Sequence, residues 1–196
     1  LLSLTLRTLG LGAGTALLAI IFSLLLSLSK RWNKSIILRI TSFLAGIGYS
    51  IPGTVLAIFL LTVINNPDYY IYLLMWGYIT RFLTISKGSI DSALERISPS
   101  IDEAAIGLGA NTFRVIKDVH IPLLKGPALV GTLLVFIDTI KELPVSFLIR
   151  PLDFDTLSVR IYQYATDGRL GSAILPAILI TILGLIASST LIPSLE

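Results

Sequence analysis

The stretch Ile101–Leu124, IDEAAIGLGANTFRVIKDVHIPLL, is a polar interruption in an apolar chain, and its reading decides the fold. It joins two short amphipathic pieces through a glycine and returns to apolar sequence at Pro122. Ser98-Pro99-Ser100, just ahead, is a helix-start signal with Pro99 suited to a first turn. The spacing from Ser100 to Glu103 predicts a capping box, in which hydroxyl and carboxylate each accept from the other residue's backbone amide. The helix is expected to continue through Ala104, Ala105 and Leu108, with Gly109 supplying a left-handed end. Asn111 or Thr112 then caps a second helix, along which Phe113, Ile116 and Val119 recur at helical spacing. Ala104 and Ala105 leave almost no side-chain bulk, so another protein's backbone can come close. Arg114, Lys117 and Asp118 give the second helix a polar face. On pattern alone two readings stay open: a hairpin lying on a membrane surface, or a docking element for a cytoplasmic partner.

Around this stretch the chain is 54% hydrophobic and only 14% charged, with a mean hydropathy of +0.87. A soluble chain carries about a quarter charged residues, so lipid is the expected solvent for much of this surface. The absence of cysteine excludes disulfides and thiolate metal sites, and the single His120 cannot build a multi-histidine zinc site. The net charge of +3 is scattered rather than striped, which argues against nucleic-acid binding. The chain opens on apolar sequence with neither Met nor a basic leader, so a piece of a longer polypeptide is expected.

A helix crosses a bilayer with about 20 apolar residues. Five runs qualify, at residues 9–29, 40–64, 69–86, 122–140 and 172–192. They predict an all-α membrane protein with about five transmembrane helices in a single transmembrane domain over 1–196, with the loop at 87–121 between the third and fourth. GYSIPG, Gly48–Gly53, puts Pro52 inside the second run, where a kink or break is expected. Asn65–Asp68 reads as a turn and Thr156–Ala165 as a short helix. Gly10 and Gly14 form a Gly-x-x-x-Gly pair that predicts close helix approach. Lys30, Arg31, Lys34 and Arg39 crowd the first connection, none falls in the second, and Lys87, Arg96, Arg114, Lys117 and Lys125 fall in the third. The first and third connections are therefore expected in the cytoplasm, with the N-terminus outside and the C-terminus inside. The fourth connection runs against that rule, with Lys141, Arg150, Arg160 and Arg169 balanced by Glu142, Asp153, Asp155 and Asp167.

The order Glu103-Ala104-Ala105, then Gly109, Val119 and Ile121-Pro122 resembles the signature loop of permease subunits of ABC-type importers. Val119 and Ile121 stand where Ile and Leu are usual. The runs Gly48–Ile58, Arg96–Ala110 and Lys141–Gln163 look like the C-terminal half of ferric-iron importer permeases, and the similarity covers nearly the whole chain. This resemblance implies a type I ABC importer-like fold with a cytoplasmic coupling helix. Glu103, Ala104, Ala105, Gly109, Val119, Ile121 and Pro122 would then lie at the contact with a cytoplasmic ATP-binding subunit pair. It further implies a periplasmic substrate-binding protein, a second permease half, a bacterial inner-membrane location and ferric iron as cargo. Thiamine, polyamine and oxyanion permeases share the loop and stand as alternatives. A channel or scaffold without an ATPase partner is the rival of another class. GLGAG, Gly10–Gly14, lacks the Gly-Lys-Ser/Thr of a phosphate loop, and no Walker-type motif occurs. No cofactor is therefore expected on this chain; ATP and magnesium would act on the partner. No Ser/His/Asp or Cys/His set is available either, so no enzyme is expected.

Asp138, Lys141 and Glu142 share a helix face at the end of the fourth run. Ionisable groups near membrane depth are functional candidates, and a hard cation such as ferric iron prefers carboxylate and phenolate oxygen. Tyr49, Asp138 and Glu142 could thus line an iron path. The competing reading is a network within the protein, with Lys141 or Arg150 as counter-charge. Arg81 is expected to pair with a carboxylate or to snorkel, and His120 to be a helix-end or interface residue.

Overall fold

The computed structural model describes residues 1–33 and 35–190. Lys34, counted above in the first connection, and the last two residues of the 172–192 run lie outside the described residues. Helix α1, Leu2–Trp32, has no charge between Arg7 and Lys30, and the face it buries is built largely of small residues, among them Gly12, Thr15, Ala16, Ala19 and Ser23. In lipid, apolar surface has no reason to leave its solvent, so helices associate through close approach and polar contacts, which small residues permit. That face packs against α4, Tyr70–Glu95, and α7, Ile121–Ile140, and these three helices form the centre of the molecule. The Ser23 and Ser86 hydroxyls lie 2.6 Å apart, Ser86 also donates to the Ala19 carbonyl, and the Ser89 hydroxyl donates to the Pro127 carbonyl at 2.7 Å. A Cβ on Gly131 would stand 3.2 Å from the Ser86 Cα. The close approach expected of the Gly10–Gly14 pair falls elsewhere: Gly10 faces open space, while Gly12 meets Phe136 and Ile140, and Gly14 meets Met75.

Three helices, Leu2–Trp32, Thr112–Ile140 and Leu170–Ser189, are each long and apolar enough to cross a membrane among the described residues. The second run is a bent pair: Ile36–Ser50 and Gly53–Val63 turn by 119° at the break, and together they could make a fourth span. Within it, α2 is Ile36–Ile47, a tight turn covers Gly48–Ser50, and α3 is Gly53–Val63. Pro52 stands just before α3, where its missing amide costs no helical bond. The freed backbone groups are satisfied from α4, where the Thr84 hydroxyl donates to the Ala45 carbonyl and accepts from the Tyr49 amide. The third run belongs to α4, whose ten buried residues include Tyr78, Ser86 and Lys87. Protein rather than lipid surrounds much of α4, so it tolerates Arg81, Lys87, Asp91 and Glu95 along its length. Its helical end at Glu95 also shortens the expected 87–121 loop at its start.

The segment between α4 and α7 holds α5, Pro99–Gly107, and α6, Thr112–Val115. A π-helical turn, Ile116–His120, then joins α6 to α7, so Thr112–Ile140 is one continuous helix of 29 residues instead of a hairpin arm followed by a separate span. Beyond α7 the chain folds back as α8, Pro144–Ile149, which packs on α3 and α4. α9, Leu157–Thr166, is capped by the Thr156 hydroxyl and leads into α10, Leu170–Ser189. α1 and α4 run parallel and α7 antiparallel, because Thr15 meets Met75 and Ser23 meets Ser86 while Gly12 meets Ile140. Two ends result, one carrying α5 and α6 and the other carrying the residues that follow α7.

Candidate functional site

At the first end, the cap of α5 lies two residues before the expected one. Proline at the first helical position makes Ser98 the N-cap, and its hydroxyl accepts from the Ser100 amide at 3.3 Å. The Ser100–Glu103 capping box is therefore not formed: the Ser100 hydroxyl pairs with that of Ser98 at 2.7 Å, and Glu103 stands exposed in the middle of the helix. The other end follows expectation. Gly109 has φ +87°, its amide donates to the Ile106 carbonyl, and the Ala110 amide donates to the Ala105 carbonyl. This is the double-bonded left-handed close that glycine favours. Asn111 then caps α6 by accepting from the Arg114 amide at 2.9 Å.

The segment is anchored by residues to which sequence reasoning gave no joint role. Asp102, 7% exposed, accepts from the Arg31 Nε at 2.5 Å through one oxygen and contacts the His120 Nε2 at 2.8 Å through the other. Arg31 also donates to the carbonyls of Leu94 and Ile97, and the Trp32 ring meets His120 edge-on at 5.1 Å. One carboxylate thus ties α5 to the end of α1 and to the start of α7. His120, expected at a helix end or interface, is fully buried as part of this tie.

What faces outward is small or apolar. Glu103, Ala104 and Gly109 are exposed and Ala105 half-buried, so these four share the outer side of one short stretch. Beside them Leu108 is 90% exposed and Phe113 73% exposed, an apolar pair that sequence reasoning did not single out as surface. Val119 is half-buried, and Ile121 and Pro122 are exposed on the helix that follows. Removing the tie is expected to loosen this surface. In Asp102→Ala the Arg31 guanidinium and the His120 ring lose a buried partner, at a cost on the order of 3 kcal/mol. Tryptic cleavage of the purified protein after Arg96 and Arg114 should accelerate markedly; unchanged cleavage would contradict the role given to Asp102.

Deeper in the bundle, Arg81 of α4 contacts Glu142 at 2.5 Å, with side chains 16% and 3% exposed. Glu142 follows the end of α7, and its carboxylate also accepts from the Val145 amide at 3.3 Å. Its own carbonyl accepts from the hydroxyls of Ser146 and Ser158, and Ser146 pairs with the Tyr78 hydroxyl. The Tyr49 ring lies beneath the Arg81 guanidinium at 5.8 Å. Asp138 instead pairs with Lys141 at 2.7 Å, and Arg150 shares Asp155 with Arg160. The network expected within the protein is thus present in part: Lys141 is the counter-charge of Asp138, Arg150 is engaged with Asp155, and Arg81, expected to pair with a carboxylate, takes Glu142. Tyr49 and Glu142 are brought together through Arg81, whereas Asp138 has a different partner. Among the described residues no group of three metal-binding side chains converges.

A family model described as "Binding-protein-dependent transport system inner membrane component" matches residues 16–192. Among curated relatives, the Fe(3+)-transport system permease protein FbpB 2 of Haemophilus influenzae is 23% identical over 129 residues, covering 64% of this chain and 26% of that protein. The ferric transport system permease protein FbpB of Actinobacillus pleuropneumoniae is 35% identical over 96 residues, covering 48% of this chain and 14% of that protein. The chain thus spans a small part of the length of these relatives. Among solved structures, a bacterial ABC transporter involved in the import of the acidic polysaccharide alginate superposes with a TM-score of 0.70 at 16% identity, covering 94% of this chain and 78% of that one. That likeness is one of fold.

Proposed function

The chain belongs to the family of binding-protein-dependent transport system inner membrane components, and on that premise we propose that it is a membrane-spanning half of an ATP-driven importer carrying ferric iron inward. The observation that carries the reading is the rigid, outward-facing Glu-Ala-Ala surface, with Leu108 and Phe113 exposed beside it. An apolar pair so exposed, on a segment held by a buried carboxylate, suits a protein partner better than water. That partner is an ATP-binding subunit, and Glu103, Ala104, Ala105 and Gly109 lie at the contact. Val119, Ile121 and Pro122 belong to the helix that carries its motion into the bundle. A substrate-binding protein delivers the ion at the opposite end, and a second permease half completes the pathway. Lys30, Arg39, Lys87, Arg96, Arg114 and Lys117 all belong to the end with the Glu-Ala-Ala surface or border it, which supports a cytoplasmic position for that end and an outer position for the N-terminus. ATP and magnesium act on the partner; this chain supplies geometry. Of the residues expected on an ion path, Tyr49 and Glu142 are gathered by Arg81 while Asp138 pairs with Lys141, and the contact between Tyr49, Arg81 and Glu142 supports the first two as the candidates.

Ferric iron is supported by the relatives' function and by the run Lys141–Gln163. The test is ATP-dependent uptake of radiolabelled ferric iron by vesicles holding the full-length permease, its ATP-binding subunits and the binding protein. Uptake unaffected by excess thiamine or molybdate is expected, and competition by either would reassign the cargo. In the same vesicles Gly109→Val tests the docking surface. A Cβ there meets nothing within 4 Å, so the penalty is purely conformational. A left-handed β-branched residue costs about 1–2 kcal/mol, and iron moved per ATP hydrolysed should fall on the order of tenfold. An unchanged ratio would remove the segment from the coupling path.

A further inference from the structure

One cavity shares no residue with the Glu-Ala-Ala surface or with the Arg81–Glu142 group. It measures about 380 Å³, lies between α1, α2 and α4, and is lined by Lys30, Arg39 and Lys87 together with Ser42, Phe43 and Ile47. Three cations from three helices therefore meet around one space. Lys30 and Arg39 are exposed and make no ion pair among the described residues; Lys87 is nearly buried and its amine contacts Asp91. The cavity's own lining holds three cations and no carboxylate; Asp91 and Glu95 line the adjoining pocket beside Lys30. Their positions in the sequence are also alike. Lys30 ends the charge-free part of α1, Arg39 precedes the apolar remainder of α2, and Lys87 is the first charge after Arg81 on α4. Lys30 and Arg39, both exposed, mark where an apolar helix surface meets water, which is where a bilayer carries its headgroups, and Lys87 adds its charge from within the bundle.

The helix beside the cavity is poorly held by protein. Of its twelve residues α2 buries only Ser42, while Ile36, Ile37, Ile40, Phe43, Leu44 and Ile47 are exposed. Phe43 and Ile47 line the cavity and present apolar surface directly beside the cations. A ligand that satisfies both must carry an anionic head and an apolar tail. We propose that this cavity binds the phosphate headgroup of an anionic phospholipid, whose acyl chains lie along Phe43 and Ile47. The bound lipid braces α2 against α1 and α4 just below the 119° break. Clusters of Lys and Arg at the cytoplasmic side of a membrane helix attract such lipids. The proposal rests on the chain's residence in a membrane, not on its cargo.

The test uses the full-length permease with its ATP-binding subunits, purified in mild detergent. It is equilibrated with phosphatidylglycerol or phosphatidylcholine, and retained lipid is counted by native mass spectrometry. The wild type should keep phosphatidylglycerol in preference to phosphatidylcholine. The double variant Lys30→Gln/Arg39→Gln should retain phosphatidylglycerol about tenfold less well. Lys30→Arg/Arg39→Lys, which keeps both charges, should restore retention, and Lys125→Gln, an exposed cation elsewhere, should leave it unchanged. Equal retention by wild type and the double variant would overturn the proposal, as would a wild type with no preference between the lipids. Displacement of the lipid by millimolar inorganic phosphate would overturn the lipid as occupant and assign the cavity to a free anion. Complete exclusion of lipid from the assembled wild type would also overturn it.

Discussion

Glu142→Ala is expected to destabilise the protein by about 3–5 kcal/mol. The side chain is 3% exposed and is the partner of Arg81, itself only 16% exposed. Arginine does not shed its proton within proteins, so the guanidinium cannot escape by neutralising itself. It would remain in the bundle, supported only by the rings of Tyr49 and Phe82, and the Val145 amide would lose its acceptor as well. Thermal unfolding in detergent reads the loss directly. The pair also predicts strong non-additivity. Adding Arg81→Met to Glu142→Ala removes the stranded charge, so the double variant should be more stable than Glu142→Ala alone. A double variant whose losses simply add would mean that the two residues do not depend on one another.

Gly48→Ala should be comparably damaging for a different reason. An added Cβ would stand 1.9 Å from the Thr80 carbonyl oxygen, a backbone atom that no rotamer change can move. Relief requires α2 and α4 to part by more than about 1 Å, since ordinary carbon–oxygen contacts begin near 3.3 Å. That separation would break the hydrogen bonds of Thr84 to Ala45 and Tyr49, leaving backbone groups unsatisfied at membrane depth. A loss of about 3 kcal/mol or more is expected. Gly46, two residues earlier near the end of α2, is the internal control. A Cβ there meets nothing within 4 Å, so Gly46→Ala should be neutral or gain about 0.5–1 kcal/mol from helix propensity. If both alanine variants unfold at the wild-type temperature, the close crossing at Gly48 is wrong.

Much of this was legible in the sequence because it is local. Hydropathy located the long apolar helices α1, α7 and α10, though it also counted the 69–86 run of α4 as a span, which is not among the helices apolar enough to cross a membrane; Pro52 located the break, Gly109 the left-handed turn, and Thr156 the start of α9. What stayed hidden depends on partners distant in the chain. Asp102 finds Arg31 and His120 across three elements, and no spacing rule connects them. Glu142 sits one residue from Lys141 and close in sequence to Arg150, yet it pairs with Arg81, sixty-one residues away, because the chain turns inward after α7. The start of α5 was misread by two residues because Ser98 and Ser100 are both good caps, and the proline between them decides in favour of Ser98. Pro122 suggested the beginning of a new helix. The structure carries the helix through it: a wider π turn stands just ahead, with the Ile121 amide bonded to the Ile116 carbonyl, and Pro122 falls in the first turn of the α-helical stretch that follows.

The unbroken helix from Thr112 to Ile140 has a mechanical consequence. At 1.5 Å per residue it is a rod roughly 43 Å long. Gly131 seats it against the Ser86 backbone of α4, which leaves roughly 27 Å of shaft towards Phe113 and roughly 14 Å towards Ile140. Pivoting there, the rod is a lever with a ratio of about two to one. A push of about 4 Å at the exposed end emerges as about 2 Å, reversed in direction, beside Glu142. Force is gained where travel is lost, which suits a device that must pry apart a packed interior.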